Sequence, residues 1–165
     1  MNRRGGAKKQ TPTKRQKKPA TRKSPGVIKA SSAKAVELTA ESTDYVSKLA
    51  VALSDVSAAQ DNWVQEVEAA SRNPSLLRDP VCQARLSSAM SSVVSAAGRL
   101  RIEPVPDGMQ PADEVLGRAC AQAELAAAAK GNGSGILSTA AIVASIRHLD
   151  EMSQLLQQAY GLIRG

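Results

Sequence analysis

The stretch TDYVSKLAVALSDVSAAQDNWVQEVEAASR, residues 43–72, contains neither glycine nor proline. Its apolar residues recur at Tyr45, Leu49, Ala52, Val56, Ala59, Trp63, Val67 and Ala70, in steps of three and four. At 3.6 residues per turn that spacing keeps a single face apolar, and it predicts an amphipathic helix about 45 Å long. Asn73-Pro74 ends the helix, because a proline ring crowds the preceding residue out of helical backbone angles.

The same period continues down the chain. Asp79 ahead of Pro80 supplies an N-cap and a first-turn proline for a second helix. Cys82, Leu86, Met90, Val93, Ala97 and Leu100 form its stripe, to about Arg101. A turn-rich segment with Pro104, Pro106 and Asp107-Gly108 follows. Pro111 then opens a third helix, with Asp113 and Glu114 in the first turn, where the helix dipole favours negative charge. Leu116, Ala119 or Cys120, Ala123 and Ala127 face inward, and Lys130-Gly131 marks the stop. After the flexible link Gly131-Asn132-Gly133-Ser134-Gly135, a fourth helix aligns Ile142, Ser145, Leu149, Met152, Leu156, Tyr160 and Ile163. Leu137, Ile146 and Leu155 widen that face.

Four amphipathic helices with short links predict an all-α body, an antiparallel four-helix bundle spanning residues 33–165. The residue inventory agrees. There is no Phe, and Trp63, Tyr45 and Tyr160 are the only aromatic residues, so the core is built from Ala, Leu, Val, Ile and Met. Runs such as Ala126–Ala129 let helices approach closely but bury little area per contact, which makes for a marginally stable body. Trp63 is expected as a core anchor, and Ser87, Ser88, Ser91, Ser92 and Ser95 as an uncharged outer face.

Upstream of the bundle the chemistry changes. Residues 1–34 hold twelve basic residues and no acidic one, whereas residues 35–165 hold ten basic and fifteen acidic. The formal +7 therefore divides into a leader of +12 and a remainder of −5. Residues 1–32, with Pro12, Pro19, Pro25 and almost no apolar side chains, cannot bury enough surface to offset ordering entropy and read as a disordered arm. The arm's cations, continued a little past it, are Arg3, Arg4, Lys8, Lys9, Lys14, Arg15, Lys17, Lys18, Arg22, Lys23, Lys29 and Lys34. With no carboxylate among them, these charges select an external polyanion, and nucleic acid held through its phosphates without base reading is the expected partner. Within the body, Arg85, Arg99 and Arg101 form the only modest basic cluster and are candidate accessory phosphate contacts. Thr11-Pro12-Thr13-Lys14 and Ser24-Pro25 are similar to the Ser/Thr-Pro-x-basic elements of linker-histone tails, where phosphorylation would remove positive charge.

Other chemistries lack their residues. The sequence has no apolar run near the roughly 18 residues of a membrane span and no signal-peptide layout, so no membrane partner and no secretion by that route are expected. Two cysteines and one histidine cannot complete a four-ligand zinc site, and neither metal nor cofactor is expected. Cys82 and Cys120 fall on apolar stripes as small hydrophobes. His148 sits beside Arg147, Asp150 and Glu151 in what reads as a surface ion-pair cluster. The glycines at 131, 133 and 135 follow no strand and precede no Gly-Lys-Ser/Thr, so they make a turn and not a phosphate loop. No nucleophile, base and charge stabiliser converge, so no enzymatic role is expected.

The charge layout resembles that of viral coat or nucleocapsid proteins and of chromatin or nucleoid proteins. That resemblance implies a packaging role in a virion, nucleus or nucleoid, with a self-associating bundle and a phosphate-neutralising arm. The other reading open at this point is a helical adaptor or assembly factor whose basic tail serves only for localisation.

Overall fold

The computed structural model describes residues 39–129 and 138–164, all within the compact unit Glu37–Gly165. Four helices make up this unit: α1 (Ala40–Arg72), α2 (Pro80–Gly98), α3 (Gln110–Ala128) and α4 (Thr139–Arg164), with a 3-10 turn over Pro74–Arg78. Each start has a local cause. Thr39 Oγ1 accepts the Ser42 N–H at 3.2 Å, capping α1 three residues ahead of the glycine-free stretch. Asp79 Oδ1 accepts the Val81 N–H at 3.2 Å at the head of α2. Asn73 accepts from both the backbone and the hydroxyl of Ser75, turning the chain between them.

The contacts fix an up-down-up-down order. Glu66 meets Arg85 and Asp55 meets Arg99, so α2 runs back along α1. Ala126 meets Ser145 and Gln122 meets His148, so α4 runs back along α3. The bundle is antiparallel throughout, as the sequence pattern predicts.

α1 is longer than α2, and its first four turns extend past Arg99 at the far end of α2. The connection after α2 supplies the missing cover. Leu100 and Met109 are buried, with Ile102 and Val105 half-buried, in the same core as Tyr45 and Leu49. Gly108, at φ +88°, takes the left-handed turn that precedes α3, a conformation that carries little penalty without a Cβ. The α3–α4 seam is alanine-lined: Ala119, Ala123 and Ala126 are fully buried, and the buried Ser145 hydroxyl donates to Ala126 O at 2.7 Å. A second, smaller cluster of Ala70, Cys82, Leu86 and Ala141 closes the opposite end.

Several expectations need correcting. α2 ends at Gly98, where the chain tightens into three successive hydrogen bonds between residues three apart, and not at Arg101. On α3 the inward residue is Ala126, with Ala127 half-buried. On α4 it is Ala159 that packs inward. Tyr160 is 49% exposed, and the Arg164 guanidinium lies over its ring at 4.8 Å from the centroid. One step of 100° separates Ala159 from Tyr160, and the small residue fits the interior while the ring finds a cation at the surface. Leu137, Lys130 and the glycine link lie outside the described residues.

Tyr45 is buried, and its hydroxyl donates to Asp113 Oδ1 over a long 3.5 Å. Burial, reinforced by the negative charge of Asp113 and the hydrogen bond, pushes its ionisation up to about 12 from 10.0. The unfolded chain thus loses the phenolic proton first, and this contribution to stability is intact below pH 10 and declines as pH rises towards 12. Urea midpoints are expected to fall more over this window in the native chain than in Tyr45→Phe. Parallel declines in the two proteins would show that Tyr45 ionises freely when folded.

Candidate nucleic-acid interface

Of the fifteen cations singled out from sequence, the twelve from Arg3 to Lys34 lie outside the described residues. The structure places the other three. Arg85 lies in the second turn of α2, whereas Arg99 follows the last residue of that helix, about 21 Å along the axis. Arg99 and Arg101 sit together just beyond the α2 terminus, so the three do not converge on one spot.

Each of them faces a carboxylate of another helix. Arg85 Nε lies 3.5 Å from Glu66 Oε2, Arg99 Nη1 bonds Asp55 Oδ2 at 2.6 Å, and Arg101 Nη2 stands 4.0 Å from Glu124 Oε1. The first two pairs stitch α2 to α1, and the third reaches α3. All three side chains keep more than half of their surface in water, so each pair adds little to stability. Their electrostatic effect matters more. A phosphate approaching any of these guanidiniums meets the paired carboxylate as well, and the attraction is largely offset. Lys48 and Arg72 are likewise paired, with Asp44 and Glu68. Among the described residues, Arg78, Arg118, Arg147 and Arg164 are in no ion pair, and they belong to three different helical segments.

The residues considered for catalysis occupy structural positions. His148 does not join the expected ion-pair cluster. Its Nδ1 is 2.8 Å from Gln122 Oε1, a cross-link between α4 and α3 that the i to i+4 pattern could not reveal because the partner is 26 residues away. Cys120 is buried, its Sγ donates to Ala97 O at 3.0 Å, and burial pushes its thiol pKa up, with nearby Arg101 partly opposing. Cys82 is buried in the small end cluster. Among the described residues no group of His, Cys, Asp and Glu is arranged to hold a metal ion, and no helix is long and apolar enough to cross a membrane.

Sequence reasoning missed one surface. It made Trp63 a core residue, which it is at 4% exposed, but Trp63 also floors an opening between α1 and α4 rimmed by Val64 and Ile146. Ile146, expected to widen the inward face of α4, is instead 44% exposed, and it comes into line with Val64 only once α4 is folded back along α1, so the opening itself gives no signal in one dimension.

No protein-family model, curated protein or solved structure matches this chain.

Proposed function

We propose that the protein packages nucleic acid, with residues 1–34 neutralising phosphate and the helical bundle self-associating to set the spacing of bound copies. The observation that carries this reading is the division of charge: a segment with twelve basic residues and no acidic one precedes a body with an acidic excess. The ion pairs of Arg85, Arg99 and Arg101 sharpen it, since the guanidiniums of that cluster are offset locally, the arginines in no ion pair are scattered over three helical segments, and the leader is the one concentrated source of positive charge in the sequence. Binding of this kind displaces condensed counterions and falls steeply with salt, with little preference among sequences. Candidate phosphate contacts are therefore the leader's lysines and arginines, and the accessory role of the three body arginines is minor.

Replacing Lys14, Arg15, Lys17 and Lys18 together by Gln is expected to weaken binding to unrelated DNA and RNA at least several-fold. It should also make the salt dependence shallower by up to about four units of log–log slope, leaving helicity unchanged. Light scattering with and without an oligonucleotide reports assembly in the same samples. Unchanged affinity at moderate salt would overturn the packaging reading and favour the adaptor, whose basic leader only localises it.

A further inference from the structure

α1 packs mainly on α2, and α4 mainly on α3. Between α1 and α4 the seam is tied by Gln60, whose Nε2 donates to Ser153 Oγ at 3.2 Å. From this tie towards the start of α4 the seam opens into two successive cavities. The first, about 200 Å³, has Trp63 and Leu149 on its floor and Val64, Ile146 and Asp150 on its rim. The second, about 210 Å³, is almost wholly apolar and is lined by Val67, Leu77 and Ile142. Val64 is 46% and Ile146 44% exposed, large apolar side chains left in water beside an apolar floor.

The dimensions suit one kind of occupant. Ile142 and Leu149 are seven residues apart, so the cavities are spaced by about 10 Å, or two helical turns. Thr139 to Ser153, the α4 residues bounding the groove, span about 21 Å, the length of a helix of about 14 residues. Two apolar holes at this spacing accept side chains i and i+7 of a docked amphipathic helix, with Val64 and Ile146 covered between them.

The rim selects among such helices. Asp150 lines it from α4, one turn beyond Ile146. On α1, Asp61 and Glu68 are exposed, three residues before and four after Val64, and so on the same helical face. Glu68 is shared with Arg72 at 3.6 Å and Asp150 with Gln154 at 3.4 Å, whereas Asp61 is in no ion pair among the described residues. Arg147, one residue past Ile146, is turned about 100° further round α4, away from the groove. A second copy presenting the same face would set these carboxylates against themselves, and a polynucleotide would set phosphates against them. A helix flanked by cations meets both the floor and the rim.

We propose that the α1–α4 groove docks a cationic amphipathic helix of a partner protein, with large apolar residues at i and i+7 and Lys or Arg on either side of that stripe. The groove is lined by residues of α1, α4 and the turn after α1, and this proposal does not rest on the phosphate-binding role proposed for residues 1–34.

Trp63 is the only tryptophan, so its emission reports on the groove floor. The probe is a tryptophan-free helical peptide of about 18 residues. It carries leucine at i, i+4 and i+7 with flanking lysines, and is compared with the same peptide bearing glutamates in their place. Titrated into the full chain, the lysine peptide is expected to shift Trp63 emission saturably and the glutamate peptide to leave it unchanged. Val64→Asp with Ile146→Asp should weaken the lysine peptide by about tenfold or more. Asp61→Lys with Asp150→Lys should weaken it too and admit the glutamate peptide. These are exposed positions, and far-UV circular dichroism checks that the helices persist. An equal response to both peptides, or one that survives Val64→Asp with Ile146→Asp, would overturn the proposal. So would a peptide-free oligomer that this double variant dissociates, which would give the groove to a second copy.

Discussion

Trp63→Ala is expected to destabilise the bundle by about 3–5 kcal/mol, the largest loss available from a single side chain in this protein. Trp63 is 4% exposed in the second half of α1 and belongs to the main core cluster. The core offers no substitute for it. There is no Phe, one of the two tyrosines is at the surface, and the buried residues opposite are largely Ala, Val and Leu. Small side chains cannot swing into a hole of that size without moving whole helices, so most of the cavity would persist. Domains of this size are stable by only about 5–15 kcal/mol, so the variant is left with a small reserve. Far-UV circular dichroism in urea should show the midpoint falling by about 2 M, from typical slopes of 1–3 kcal/mol per M. Trp63→Leu, which refills part of the volume, should recover some of the loss. A Trp63→Ala midpoint within experimental error of the native one would mean that the ring is not space-filling in the core.

Ala123→Leu probes the opposite kind of error. Ala123 is fully buried on α3, among the alanines that face α4, and the seam there is narrow because it is lined by Ala119, Ala123, Ala126 and Ser145. Extra methylenes have nowhere to go, and separating the helices would also stretch the Ser145–Ala126 hydrogen bond. Overpacking of this sort costs about 1–3 kcal/mol, and a broken buried bond adds to it. Ala121→Leu is the matched control, an exposed position on the same helix where Ala and Leu have similar helix propensity. The control should melt close to the native chain and Ala123→Leu well below it. Coincident curves would show that α3 and α4 have room between them.

The fold was legible because its helices are punctuated and periodic. Asn73-Pro74, Asp79-Pro80 and Pro111 each enforce a boundary through local backbone chemistry, independent of tertiary packing. What the chain did not disclose was which of two adjacent residues faces inward, as at Ala126 against Ala127 and Ala159 against Tyr160. That choice depends on how closely the neighbouring helix approaches; hydrophobicity alone cannot separate two alanines, and it favours the larger Tyr160 over Ala159. Long-range polar partners were hidden for a related reason. His148 with Gln122, and Arg99 with Asp55, are joined by the fold across 26 and 44 residues. The basic leader was the most readable feature of the candidate interface, because composition suffices to identify it. The α1–α4 groove was the least readable, because it exists only between helices at opposite ends of the chain.

The mismatch in length between α1 and α2 has a practical outcome for anyone re-engineering this protein. Residues 100–109 include what reads in sequence as a mere turn-rich segment, yet Leu100, Ile102, Val105 and Met109 roof the first half of α1. Shortening that span, splitting the chain there or threading a tag through it would strip the longest helix of its lid. New termini or inserted cargo belong elsewhere, where no hydrophobic ceiling is disturbed.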